Sequence, residues 1–188
     1  MSPLEIIASA LGIGAVWLTI RQNRWCWPLG LLMVLMYTWI FYDGKLYSNM
    51  LLQGVYAVLQ GYGWWQWTRG GISHSGVQVS RLSPPGIVIS LAIGAVGALV
   101  LGYLMATFTD AAAPWQDAAL SAFSLVAQVW MAQKRVECWP LWLILDLLFV
   151  ALFVQQELYP TAALYGVFTL LAINGWLTWR RDRALTNA

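Results

Sequence analysis

The chain has 188 residues, 60% hydrophobic and 10% charged, with a net charge of +2. Soluble domains carry roughly 25% charged residues, so this composition excludes a water-soluble fold, and the small net charge speaks against nucleic-acid binding. Two cysteines and one histidine exclude a disulfide framework, a metal site and haem ligation within the apolar segments.

Apolar stretches long enough to cross a ~30 Å hydrocarbon layer recur along the chain. The first spans 4–20. It follows "MSPLEIIASALG", which has neither a basic n-region nor a small-residue cleavage site, so it reads as a retained span rather than a signal peptide. The second, 26–42, opens at "WCWPLG". Pro28 there suits the first turn of a helix, where a missing N–H costs nothing.

The third span, 46–67, carries Asn49, Gln53, Tyr56, Gln60, Trp64 and Trp67. At 100° per residue these fall within roughly 80° of one another, one stripe on a helix. Next comes "RGGISHSGVQVSRLSPPG", whose Gly, Ser and Pro content marks a loop. The fourth span, 85–108, is uniformly apolar. In the fifth, 115–133, Ser121, Ser124 and Gln128 share a face.

The sixth span, 139–155, holds Asp146, the acidic residue near the middle of a span, in "WLILDLLF". An intramembrane carboxylate needs a partner, a proton or water, and no Lys or Arg lies inside a span to pair with it. It is a counter-ion for a cationic substrate, a proton-coupling site, or a structural acceptor for Trp and Tyr donors. Trp142 sits one turn before it on the same face. The seventh span, 159–179, ends before the basic run Arg180, Arg181 and Arg183.

Seven spans make an all-α integral membrane protein. Nine Lys or Arg fall in alternate connections, against Lys45 alone on the other side. Positive loops stay in the cytoplasm, which predicts the N-terminus outside and the C-terminus inside. Eleven of the thirteen Trp then lie toward the cytoplasmic half, more one-sided than an interfacial belt requires.

A shift of 112 residues aligns 21–69 with 133–181 without a gap, and 17 of those 49 positions are identical. The matches include Cys26–Leu29 with Cys138–Leu141, Gly63 with Gly175, Trp64 with Trp176, and Trp67 with Trp179. Spans one to three and five to seven therefore read as copies joined by span four. The single linker makes them parallel repeats, a 3+1+3 arrangement like that of SWEET transporters. The expected divisions are 1–69 for the first repeat, 70–112 for loop and linking helix, 113–181 for the second repeat, and 182–188 for a cytoplasmic tail.

In the third span's mate the amides are mostly replaced, by Thr161, Tyr165, Phe168, Ala172, Trp176 and Trp179, so a site between the copies should be asymmetric. Polar groups within spans either line a pathway or glue helices together. Aromatics, one acid and several amides would suit a flat cationic ring bearing hydroxyls.

These residues resemble the PnuC family of vitamin-precursor transporters over nearly the whole chain. The motifs are "WCWPLG", "LLQGVYAVLQGYGWWQW", "WPLWLILD" and "LYPTAALYGVFTLLAINGWLTW". The family's second turn often reads Glu-Asn-Trp-Pro, where this chain has Cys138 before Trp139. The resemblance implies uptake of nicotinamide riboside across a bacterial inner membrane. Transport would be by facilitated diffusion through alternating access, with trapping by cytoplasmic phosphorylation. Thiamine or another vitamin or nucleoside is the alternative substrate. A membrane-embedded enzyme or a non-transporting scaffold are readings of other classes, and His-Glu-x-x-His and Gly-x-Ser-x-Gly patterns are absent.

By the same resemblance, substrate contacts fall to Gln53, Tyr56, Gln60 and Trp64 in the third span. Trp142, Asp146, Tyr165 and Trp176 carry them in the second copy, and Gln128 joins them from the polar face of the fifth span. The expected partners are a small cationic heteroaromatic and membrane lipid, in a possible homotrimer, with no nucleic acid, cofactor or metal.

Overall fold

The computed structural model describes residues 3–43, 47–71, 74–109, 113–155 and 157–186, without the side chains of residues 41, 47–49, 51 and 186. Lys45 and the Asn49 side chain, both used in the sequence argument, lie outside the described residues.

Seven helices run through them: α1 (Pro3–Ile20), α2 (Cys26–Asp43), α3 (Tyr47–Arg69), α4 (Pro84–Phe108), α5 (Pro114–Ala132), α6 (Cys138–Gln155) and α7 (Tyr159–Thr186). Helices are what an apolar layer demands, because they satisfy every backbone N–H and C=O within one segment. The bounds match the expected spans within two residues, except at the C-terminus. There α7 continues to Thr186 through the stretch expected as a tail, since no Gly or Pro interrupts "WRRDRALT".

Four helices, α1, α4, α6 and α7, are long and apolar enough to cross a membrane, and α2 has a shorter apolar stretch, Cys26–Ile40. α3 and α5 fall short because they carry polar groups, several of which are turned inward. Gln60, Ser124 and Gln128 are all buried.

Six helices close a ring in the order α1, α2, α3, α5, α6, α7 and back to α1. α4 stands outside it and packs on α5. Its small residues make that contact close: a Cβ at Gly102 would meet the Trp115 ring at 2.5 Å, and one at Gly94 would meet Val126 at 3.0 Å. Small residues in this role let membrane helices approach without a hydrophobic driving force. Trp130 Nε1 donates to Ser90 Oγ at 3.2 Å across the same seam. The far face of α4 stays bare, with Val88, Ile89, Ile93, Val96 and Leu99 exposed, as lipid contact requires.

The turns before α2 and α6 are built alike. Gln22 and Lys134, one 112-residue shift apart, both take left-handed backbone, with φ of 52° and 51°. The predicted loop after α3 is pinned rather than loose. Its Ser80 N–H donates to the Lys134 carbonyl and its carbonyl accepts from Val136 N–H, each at 3.0 Å. Leu82 N–H donates to Glu137 Oε2 at 3.1 Å, and Ser83 caps α4 ahead of Pro84 and Pro85.

Candidate functional site

At the basic end of the ring, four buried tryptophans close the interior. Trp27 meets Trp67 edge-on at 5.5 Å, and Trp139 meets Trp179 edge-on at 5.2 Å. Trp67 and Trp179 then meet each other at 6.0 Å. Edge-to-face contacts at these separations are the favoured geometry of aromatic pairs.

Each arm is also fastened to the neighbouring segment. Trp67 Nε1 donates to the Ala132 carbonyl at 3.0 Å, and Trp179 Nε1 donates to the Ile20 carbonyl at 3.2 Å. Donors and acceptors in these two bonds are related by the same 112 residues. Trp27 and Trp139 have buried ring nitrogens without hydrogen-bond partners among the described residues, so shape holds them. A Cβ at Gly63 would stand 2.3 Å from the Trp27 ring, and one at Gly175 2.6 Å from the Trp139 ring. This explains why "CWPL" and the Gly–Trp pairs recur together: each tryptophan needs its glycine.

Lys134 bridges the two turns. Its Nζ donates to Gln22 Oε1 at 3.4 Å and lies 4.5 Å above the Trp67 ring. Burial holds this ammonium's pKa below the ordinary lysine range, with Cys26 opposing the shift. Gln22 in turn donates to Asp182 Oδ2 at 2.7 Å on the helical extension of α7.

Further along the ring lies a polar group drawn from several helices. Tyr165 of α7 is within electrostatic reach of Tyr56 of α3, Asp146 of α6 and Tyr37 of α2. Tyr56 also faces Ser124 of α5, whose buried Oγ makes no well-formed hydrogen bond. Asp146 is only 4% exposed and has no cationic or hydrogen-bonding partner among the described residues. One turn away, Trp142 Nε1 is buried and has no partner among the described residues. The Tyr165 ring packs on Phe149 at 4.7 Å, Phe153 at 5.2 Å and, edge-on, Phe168 at 5.6 Å. A carboxylate, three phenols and an indole donor thus share an apolar interior in which every unmet polar group is costly.

The expected residues divide between these two places. Tyr56, Asp146 and Tyr165 come together, and Trp142 adjoins Asp146. Gln60 is buried against Gly30. Gln53 is half-buried on the Gln60 face of α3, and Gln128 is buried on α5. Trp64 and Trp176 lie at the basic end instead. Trp64 packs on exposed Trp25 at 5.7 Å, and Trp176 carries the Arg180 guanidinium at 5.3 Å.

Two residues escaped the sequence reading, Tyr37 and Gly30. The 112-residue shift pairs Tyr37 with Phe149 and Gly30 with Trp142, neighbours of the polar group, and that pairing was the available signal. Two surface crevices, one lined by Gln66, Ser80, Gln133 and Arg135 and one by Arg81, Arg180 and Arg183, open at the basic end and include none of the central residues.

Fold and site together define a multi-pass membrane protein built around an internal polar site. The nicotinamide mononucleotide transporter family model matches residues 2–181. The nicotinamide riboside transporter PnuC of Escherichia coli is 26% identical, with 97% of this chain and 88% of that protein covered. The riboflavin/roseoflavin transporter RibM of Streptomyces davaonensis is 29% identical, covering 95% of this chain and 86% of its own length. A crystal structure of the vitamin B3 transporter PnuC shares the fold, with a TM-score of 0.76 at 24% identity over 95% of this chain and 80% of that one. The chain belongs to the nicotinamide mononucleotide transporter family and is accordingly a membrane transporter rather than an enzyme.

Proposed function

We propose that this protein is an inner-membrane uniporter that takes up nicotinamide riboside by facilitated diffusion. The observation that carries the reading is the buried carboxylate of Asp146, which has no cationic partner among the described residues and lies within electrostatic reach of Tyr165. A cationic pyridinium would supply the missing charge, and its ribose hydroxyls would meet the phenols, the Gln53, Gln60 and Gln128 amides and the free Trp142 donor. The rings of Tyr165 and its phenylalanine neighbours offer faces for a planar heterocycle. The relatives named for nicotinamide riboside transport support the same substrate.

The architecture in this proposal is 3+1+3, with residues 1–69 and 113–181 as parallel repeats, 70–112 as connecting loop and helix, and a short cytoplasmic end after 181. Matched hydrogen bonds from Trp67 and Trp179 support it, as does the position of α4 outside the ring. The N-terminus is outside and the basic end faces the cytoplasm, following the distribution of Lys and Arg. The tryptophan closure is then the cytoplasmic gate, and rocking of one repeat against the other opens it by turns with the opposite end. Trp64 and Trp176 act at that gate as the substrate leaves. Uptake runs downhill and is made lasting by cytoplasmic phosphorylation of the product. The working unit is a homotrimer in lipid.

Riboflavin is the second reading, favoured by the 29% identity to a riboflavin/roseoflavin transporter. An uncharged ring has no use for a counter-ion, so Asp146 discriminates between the two. Thiamine, which is cationic, shares the first reading's charge. The test is a thermal-shift titration of the purified protein with nicotinamide riboside, thiamine and riboflavin, since a ligand that binds the native state raises its melting temperature. A selective shift with nicotinamide riboside, lost in Asp146→Asn, supports the proposal. A shift with riboflavin alone that survives Asp146→Asn overturns it.

A further inference from the structure

Gly30 of α2 faces α3, and the Gln60 amide rests on it. A Cβ at position 30 would lie 2.8 Å from Gln60 Oε1, 2.9 Å from Nε2 and 3.0 Å from Cδ. Side-chain atoms do not approach a methyl group that closely, so any residue other than glycine displaces something. What yields is the amide, because the obstructing atoms end a flexible side chain. At Gly63 and Gly175, by contrast, the obstructing atoms belong to wedged indole rings.

The amide makes no hydrogen bond among the described residues, although Gln60 is only 8% exposed. Its orientation is therefore set by the floor beneath it. Two donors and two lone-pair acceptors are held by packing and left free for a ligand.

The matched positions exchange sizes. Under the 112-residue shift Gly30 pairs with Trp142, and Gln60 pairs with Ala172. In the first segment α2 supplies the small residue and α3 the large one; in the second, α6 supplies the large residue and α7 the small one. The large residue is an amide in one half and, in the other, an indole whose buried N–H has no partner among the described residues. A symmetric ring thereby presents two different groups to an asymmetric ligand.

We propose that Gly30 is a positioning residue of the substrate site, its missing side chain setting the orientation of the Gln60 amide. This rests on the reading above, in which Gln60 contacts substrate. The test is nicotinamide riboside uptake by proteoliposomes carrying wild type, Gly30→Ala, Gln60→Ala or the double variant, with melting temperatures measured alongside. Gly30→Ala should raise the half-saturation concentration by about three- to tenfold, the range that loss of one hydrogen bond brings, with the melting temperature unchanged. The double variant should be no worse than Gln60→Ala alone, because residues that act through one group are not additive.

Wild-type uptake by Gly30→Ala beside an impaired Gln60→Ala overturns this inference and leaves the substrate reading standing. Wild-type uptake by Gln60→Ala removes Gln60 from the site and overturns the inference while the substrate reading stands; no uptake by the wild type overturns the substrate reading itself. Additive losses show that Gly30 acts through another group and also overturn the inference. If Gly30→Ala fails to fold, adding Gln60→Ala must restore folding by removing the obstructed atoms; a double variant that stays unfolded overturns the proposal.

Discussion

Segments 21–69 and 133–181 are near duplicates at one end of the molecule and differ at the other place that matters. At the basic end three features have their mates: the left-handed turn, the wedged tryptophan with its glycine, and the indole bonded to the carbonyl just before the other segment. Among the inward-facing polar residues the mates diverge, with Val34 opposite Asp146, Gln53 opposite Tyr165, Gln60 opposite Ala172 and Gly30 opposite Trp142. Closure tolerates symmetry, because a seal needs only shape and hydrogen bonds. Recognition of a ligand with a charged ring at one end and hydroxyls at the other does not, because each half must meet different chemistry.

The symmetric part breaks hardest. Gly63→Ala and Gly175→Ala each press a methyl into a ring that has nowhere to go, at a cost of about 1–3 kcal/mol. Both should lower the melting temperature in detergent, Gly63→Ala more because its contact is shorter. The other matched glycines, Gly54 and Gly166, have nothing within 4 Å, so alanine there should leave the melting temperature in place. Equal loss at all four sites would show that helix flexibility, not the tryptophan wedge, sets the requirement.

The asymmetric part should break function without breaking the fold. Asp146→Asn is expected to reduce nicotinamide riboside uptake by about tenfold or more, the scale of a lost charged interaction. The melting temperature should hold or rise, since a buried unpaired carboxylate is removed. Unimpaired uptake would take charge out of recognition.

Smaller and matched effects come from the two fastening hydrogen bonds. Trp67→Phe and Trp179→Phe each remove one, worth about 1 kcal/mol, and should loosen the closure equally. Labelling of the buried Cys26 and Cys138 by a thiol reagent reads this directly. Both variants should label faster than wild type, and a change confined to one would end the equivalence of the two arms.

The smallest effect concerns the turn residue that breaks the pairing. Lys134→Gln reproduces its mate Gln22 and removes a cation–aromatic contact worth below about 1 kcal/mol at a partly exposed site. Burial depresses the Lys134 pKa in the native protein. Between that value and the ordinary lysine range, the unfolded chain holds a proton that the native protein has lost, so stability rises with pH there. Melting curves across the alkaline range should show this rise in wild type and a smaller one in Lys134→Gln.

Much of this was legible before any coordinates. Apolar run length decided the helices, since a continuous apolar run of about 20 residues crosses lipid as a helix, whereas a barrel strand is half that length and alternates. The 112-residue shift marked the paired turns because Cys, Trp, Pro and Gly rarely agree by accident. Asp146 and the α3 stripe stood out because polar groups inside an apolar span are costly enough to need a purpose.

What the chain alone left open was which side chains meet. Helical periodicity placed Trp64 and Gln60 on one stripe, yet Trp64 packs against Trp25 while Gln60 settles on Gly30. Periodicity fixes direction around a helix axis and says nothing about what stands opposite. Tyr37 and Gly30 carry no local signal, since a tyrosine and a glycine in an apolar helix are ordinary. Their roles arise only when α2 is laid against α3 and the ring closes, bringing residues more than a hundred positions apart to one place. Composition and periodicity thus determined what enters the membrane; the packing of one helix on another decided what faces the interior and with whom.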